Sequence, residues 1–162
     1  MLNNQLKINI IRAVPKDAAR LKEIAFISKR YWGYPESWIK LWEKELTITS
    51  QYIINQTVYC AEKNGQAVGF YALILNNGIL ELDHLWVLPE LIGCGVGKTL
   101  IHHAFVSTIA LGYRTVKVVA DPNAKPFYES MGAQHVSDYS YQFNKETRVL
   151  PELIFNLIDN SM

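Results

Sequence analysis

Gly93-Cys94-Gly95-Val96-Gly97 is the stretch that most narrows the folds open to this chain. Before it lies a run rich in apolar residues, Ile79 to Val87, and after it come Leu100, Ile101, Ala104 and Phe105 at helical spacing. A strand must therefore turn sharply into a helix, and glycine permits backbone conformations that a Cβ would obstruct. The helix reads from Lys98 to Leu111, with Gly112 as its stop signal.

The rest of the chain fits one α/β or α+β domain spanning residues 1–162, because 162 residues with 49% hydrophobic content can bury one sizeable core. Sixteen Lys plus Arg against fifteen Asp plus Glu leave a formal charge of +1, so no bulk field favours nucleic acid or an anionic membrane. Met1 to Lys7 lacks the apolar core of a signal peptide, and no later apolar run reaches the ~18 residues of a membrane span. A cytoplasmic location is the expectation. Cys60 and Cys94 make no disulfide framework, and the four His residues lack zinc spacing, so no metal is expected.

A first strand over Lys7 to Val14 hands over at Pro15 to a helix reaching about Tyr31, with Leu21, Ile24, Ala25 and Ser28 on its inner face. A second helix is predicted from Pro35 to Leu46. Strands follow at Thr57 to Glu62, Ala67 to Leu75 and Ile79 to Val87, joined by Asn64-Gly65 and Asn77-Gly78, because both residues of such turns tolerate positive φ. Val116 to Val119 reads as a short buried strand. Asp121-Pro122-Asn123 opens a short helix ended by Gly132, and last strands are predicted at Gln134 to Phe143 and Val149 to Leu157.

At the Gly-rich turn, unpaired backbone N–H groups and the positive end of the helix dipole face one spot, which suits an anion and above all a diphosphate. Gly97-Lys98-Thr99 resembles the end of a Walker P-loop, but that motif needs glycine where Ile92 stands. The dinucleotide pattern G-x-G-x-x-G fails as well, since the turn is G-x-G-x-G.

Val87-Leu88-Pro89 followed by Ile92-Gly93-Cys94-Gly95-Val96-Gly97 resembles the central signature of the GNAT acetyltransferases, a strand ending V-x-P, a Q/R-x-x-G-x-G/A turn and a helix. Asp121 to Gly132, with Phe127-Tyr128 inside it, resembles that family's next motif. The resemblance implies a mixed, mostly antiparallel sheet of about seven strands flanked by about four helices and splayed between strands four and five. It also implies acetyl-coenzyme A as acetyl donor, without a metal. Ile92 departs from the family pattern, which places Gln or Arg there; Lys98, Arg114 and Lys125 are candidates to supply the lost phosphate contact.

By the same resemblance, Ile92, Gly93, Cys94, Gly95, Val96, Gly97 and Lys98 would hold the pyrophosphate, and main-chain groups of Leu85, Trp86 and Val87 the pantetheine and acetyl carbonyl. Asn123 would touch the cofactor backbone or cap a helix. Tyr128 matches the proposed general acid, and a phenol stays protonated at neutral pH. Removing a proton from an alkylammonium acceptor calls for a base, and Glu81 and Asp83, on one face of their strand by period-two alternation, are the candidates. Glu81 stands six residues before Val87, the spacing of the catalytic glutamate in some relatives. His84, on the opposite face, reads as a packed or hydrogen-bonded histidine.

The resemblance also implies an acceptor site near the first two helices and the third and fourth strands, where Trp32, Tyr34, Trp38 and Tyr71 are the candidate wall; aromatic faces take both cations and apolar groups. A small amine or amino acid is the preferred acceptor and a peptide amino terminus the second choice. A coenzyme A-binding sensor without turnover is the alternative. The oligomeric state stays open, a homodimer included.

Overall fold

The computed structural model describes residues 6–157. Residues 1–5 and 158–162, which include most of the amino-terminal segment read above and both ends of the expected domain, lie outside the described residues.

The first element among the described residues is β1 (Asn9–Arg12), shorter than expected, and a single turn follows at Pro15–Asp17, where Val14 N–H donates to Asp17 Oδ2 at 2.9 Å. Helix α1 (Ala18–Arg30) follows and buries Leu21, Ile24, Ala25 and Ser28, the face that its helical spacing marks. The one helix expected from Pro35 to Leu46 is two, α2 (Glu36–Leu41) and α3 (Glu43–Leu46), separated at Trp42. There the backbone sits at φ −91° and ψ 6°, and Trp42 N–H is shared between Trp38 O and Ile39 O at 3.1 Å each. This local break accompanies burial of the Trp42 ring.

Helix α4 (Ser50–Asn55) was not anticipated: it buries only Ile53, too few residues to display a period, and is set by Thr49 Oγ1 accepting from Tyr52 N–H at 3.0 Å. Among the described residues, six α-helices therefore stand where about four were expected. The remaining elements are β2 (Thr57–Lys63), β3 (Gln66–Asn76), β4 (Ile79–Val87), α5 (Val96–Ala110), β5 (Thr115–Val119), α6 (Lys125–Ser130), β6 (Gln134–Phe143) and β7 (Glu146–Asn156).

Both Asn-Gly turns have positive φ at each residue, 52° and 78° at Asn64-Gly65 and 51° and 80° at Asn77-Gly78, the backbone of tight hairpins. A third such turn, Asn144-Lys145 with φ of 49° and 65°, joins β6 to β7 and starts the last strand at Glu146, earlier than expected. Lysine carries no signal for positive φ, so this hairpin was illegible in the sequence.

The strands form one mixed sheet in the order β1-β2-β3-β4-β5-β7-β6. β1 with β2, β5 with β7 and β6 with β7 are antiparallel, while β4 and β5 are parallel, in register at Glu81↔Lys117. That parallel contact is slight beside the five successive pairs of β5 with β7. The architecture is the mixed seven-stranded sheet that the resemblance implies.

The chain divides into two compact units, Met1–Ala72 with His84–His103, and Leu73–Asp83 with Ala104–Met162. In the first, Leu21, Ile24, Val58, Phe70, Leu100 and Ile101 are fully buried. In the second, Val116, Val118, Leu153 and Phe155 make the core.

Candidate active site

In the first unit, β4 runs through Leu88 into a short turn at Pro89–Leu91, and Gly93 and Gly95 both adopt left-handed backbone, φ 83° and 87°. Thr99 N–H donates to Gly95 O at 3.0 Å, the bond that closes the first turn of α5. The amides of Val96, Gly97 and Lys98 precede that first intrahelical donor and so point out of the helix end, as first-turn amides must. Val96 is buried and anchors the turn, while Ile92, Cys94 and Lys98 are exposed around it. A Cβ built at Gly93 or Gly95 meets no atom within 4 Å, so glycine is required there by φ and leaves open space above the amides.

Leu85, Trp86 and Val87, at the end of β4, are half-buried. Three contacts fix this segment: Leu88 N–H donates to Val68 O at 2.9 Å, Ser28 Oγ donates to Val87 O at 3.1 Å, and Trp86 Nε1–H donates to His84 Nδ1 at 2.9 Å. With Nδ1 accepting, a neutral His84 carries its proton on Nε2. Its ring also contacts Tyr52 and Phe70, so His84 is the packed, hydrogen-bonded histidine expected.

The predicted aromatic wall separates into groups. Tyr34 and Trp38 come together, stacked at 6.0 Å between centroids, and both meet Trp42 edge-on. Lys29 Nζ lies over the rings of Trp42 at 4.3 Å and Tyr34 at 4.8 Å, cation–π contacts that offset part of the cost of burying an ammonium. Trp32 packs instead on Tyr31, and Tyr71 is fully buried, its hydroxyl 2.7 Å from His103 Nδ1 and its ring stacked on Tyr59. Burial holds the His103 pKa below its ordinary value.

In the second unit, Glu81 and Asp83 share the face of β4 opposite the buried Leu80 and Leu82. Glu81 Oε1 lies 3.9 Å from Lys117 Nζ and accepts a long hydrogen bond from Asn76 Nδ2 at 3.5 Å, while Lys117 also faces Glu152 at 3.6 Å. Asp83 is exposed. Tyr128 on α6 is buried, and burial, reinforced by the Asp121 carboxylate, holds its phenol well above the ordinary tyrosine value. The helix-capping role considered for Asn123 falls to Asp121, whose Oδ1 accepts from both the backbone N–H and Nδ2 of Asn123 at 2.9 Å.

Residues 55–132 match the family model of the acetyltransferase (GNAT) domain. They form a GNAT acetyltransferase domain. Solved structures share the fold across nearly the whole chain. A GCN5-related N-acetyltransferase from Rhodopseudomonas palustris is 23% identical with a TM-score of 0.76, over 97% of this chain and 99% of that one. The PaiA N-acetyltransferase from Thermoplasma acidophilum, in complex with coenzyme A, is 18% identical with a TM-score of 0.76, over 93% and 99%. A GNAT-family acetyltransferase from Staphylococcus aureus Mu50 is 19% identical with a TM-score of 0.69, over 93% and 99%. At these identities the likeness establishes the fold. No curated protein gives a significant match.

Gly69 and Lys117 were not anticipated as neighbours of the candidate residues, nor was the bond from Ser28, which lies before the matched residues, to Val87 O. A glycine inside a strand carries no periodic signal, the helical spacing that put Ser28 on the inner face of α1 does not name its partner, and Lys117 was read only as part of a short apolar strand. Cys60 is buried, and that burial, with Asp17 and Glu62 nearby, pushes its thiol up to about 12, while Cys94 is exposed. Among the described residues no group of three or more His, Cys, Asp or Glu is placed to hold a metal, and no helix is long and apolar enough to cross a membrane.

Proposed function

We propose that the chain acts as one N-acetyltransferase unit, moving the acetyl group of acetyl-coenzyme A directly to a primary amine in a cytoplasmic setting. The observation that carries this reading is the pair of left-handed glycines, Gly93 and Gly95, opening α5 inside the GNAT domain. Amides at such a helix end bind a diphosphate. The PaiA structure, which holds coenzyme A on the same fold, supports the choice of donor. Ile92 offers no polar side chain, so the amides of Gly93 to Lys98 carry the phosphate contact, with Lys98 the nearest cation in sequence.

The roles follow residue by residue. Main-chain groups of Leu85 to Val87 hold the pantetheine arm, and an amide there polarises the acetyl carbonyl. The acceptor ammonium first loses a proton, its lone pair then forms the C–N bond, and the C–S bond breaks. The nitrogen sheds a second proton, the departing thiolate takes one from Tyr128, and solvent restores the phenol, so one proton is released overall. The raised Tyr128 pKa keeps that proton in place at neutral pH, at some loss of driving force for its transfer. Asp83 or Glu81, directly or through water, removes the ammonium proton. Glu81 is engaged by Lys117 at 3.9 Å whereas Asp83 is exposed to solvent, which favours Asp83.

A small amine or amino acid is the favoured acceptor, with a peptide amino terminus second; Tyr34 and Trp38 are the residues we assign to its wall, ahead of Trp32 and the buried Tyr71. The test is a panel of amines assayed for acetyl-coenzyme A-dependent thiol release, with the product identified by mass spectrometry. Tight donor binding with no thiol released across the panel would reject acetyl transfer in favour of a sensor.

A further inference from the structure

A Cβ built at Gly69 of β3 would lie 2.7 Å from Trp86 O, 3.2 Å from Leu100 Cδ1 and 3.4 Å from Val87 Cα. The first distance is shorter than real Cβ atoms tolerate, and its partner is backbone, which cannot swing aside as a side chain can. Gly69 has no left-handed φ, so conformational freedom does not explain a glycine there. Space does: β3 passes β4 and α5 at a distance that only a residue without a side chain allows. The atom it approaches belongs to the peptide unit joining Trp86 to Val87.

That peptide is planar and trans, so its C=O and N–H point in opposite directions. Trp86 O lies 2.7 Å from where a Gly69 Cβ would stand, so that oxygen faces β3 and Val87 N–H is aimed away from it. The next peptide, Val87–Leu88, is held at both its polar groups, Leu88 N–H donating to Val68 O at 2.9 Å and Val87 O accepting from Ser28 Oγ at 3.1 Å. The close approach of Gly69 therefore sets the orientation of one donor in the segment to which the acetyl carbonyl has been assigned. We propose that Gly69 is a positioning residue for acetyl transfer, acting through the Trp86–Val87 peptide to aim Val87 N–H at the acetyl carbonyl oxygen. This rests on the acetyltransferase reading above.

The variant that tests it is Gly69→Ala, compared with wild type for kcat, for the dissociation constant of coenzyme A and for melting temperature. Tilting one oxyanion donor off its target costs about 10²-fold in rate, so kcat is expected to fall by about that factor. The affinity for coenzyme A, which lacks the acetyl group, is expected to change by less than about threefold, since the amides of Gly93 to Lys98 are untouched. A lower melting temperature with kcat unchanged would mean that Gly69 serves packing alone and would overturn the proposal. Should the variant not fold, the wild-type amide NMR spectrum decides. The Val87 N–H resonance is expected to move downfield with acetyl-coenzyme A relative to coenzyme A, and an identical position in both complexes would overturn the proposal. Absence of thiol release by the wild-type protein across the amine panel would instead remove the acetyltransferase reading itself.

Discussion

Glu81 and Lys117 face each other in parallel register across β4 and β5, with Nζ 3.9 Å from Oε1. Glu152 reaches the same ammonium at 3.6 Å, so the lysine answers two carboxylates. Glu81→Gln should therefore cost only about 0.5 kcal/mol of stability, the scale of a partly exposed pair. Its kcat should stay within about threefold of wild type, whereas Asp83→Asn should lower kcat by about 10²-fold if Asp83 is the base. Profiles of kcat against pH for both variants separate them, and a loss in Glu81→Gln equal to that in Asp83→Asn would return the role to Glu81.

Tyr128→Phe removes the phenol and keeps the ring that packs against Phe127 and Phe155. Turnover should fall by about 10²-fold while coenzyme A affinity is largely kept. Because the phenol pKa is raised above 10, the phenol remains protonated up to at least that pH, and wild-type kcat should show no falling limb from Tyr128 below it. Unchanged turnover in the variant would reject the acid assignment.

Gly95→Asp should abolish coenzyme A binding by titration calorimetry. A side chain there meets no atom within 4 Å but must adopt φ 87°, a strain of about 1 kcal/mol, so the fold should survive. The carboxylate would stand beside amides assigned to a diphosphate. Retained binding would mean that the phosphate site lies elsewhere.

His103 offers a test of stability against pH. Burial lowers its folded-state pKa below the ordinary 6.5, so the unfolded chain binds the proton more readily. Its contribution is present above pH 6.5 and is lost as pH falls through the lower, folded-state value. The melting temperature should drop as pH is taken from about 7 to about 5, and His103→Gln should flatten that slope. An unaltered slope in the variant would assign the pH dependence to other groups.

The sequence by itself settled the elements whose cause is local. Asn64-Gly65 and Asn77-Gly78 fold as tight hairpins because both residues accept positive φ. The inner face of α1 follows from spacing alone, and the Gly93 to Gly97 turn was legible because alternate glycines between a strand and a helix leave few other conformations. Where a residue's neighbour is distant in the chain, spacing is silent. The wall of Trp32, Tyr34, Trp38 and Tyr71 resolved into different surroundings, with Tyr71 against His103 and Tyr34 against Trp42 and Lys29. The Lys117 partner of Glu81 and the approach of Gly69 to Trp86 O are likewise products of strand register, because side-chain identity constrains which face a residue occupies but not which strand lies beside it. The glycine turn could be read from one stretch of chain; the peptide that Gly69 orients required three elements packed together.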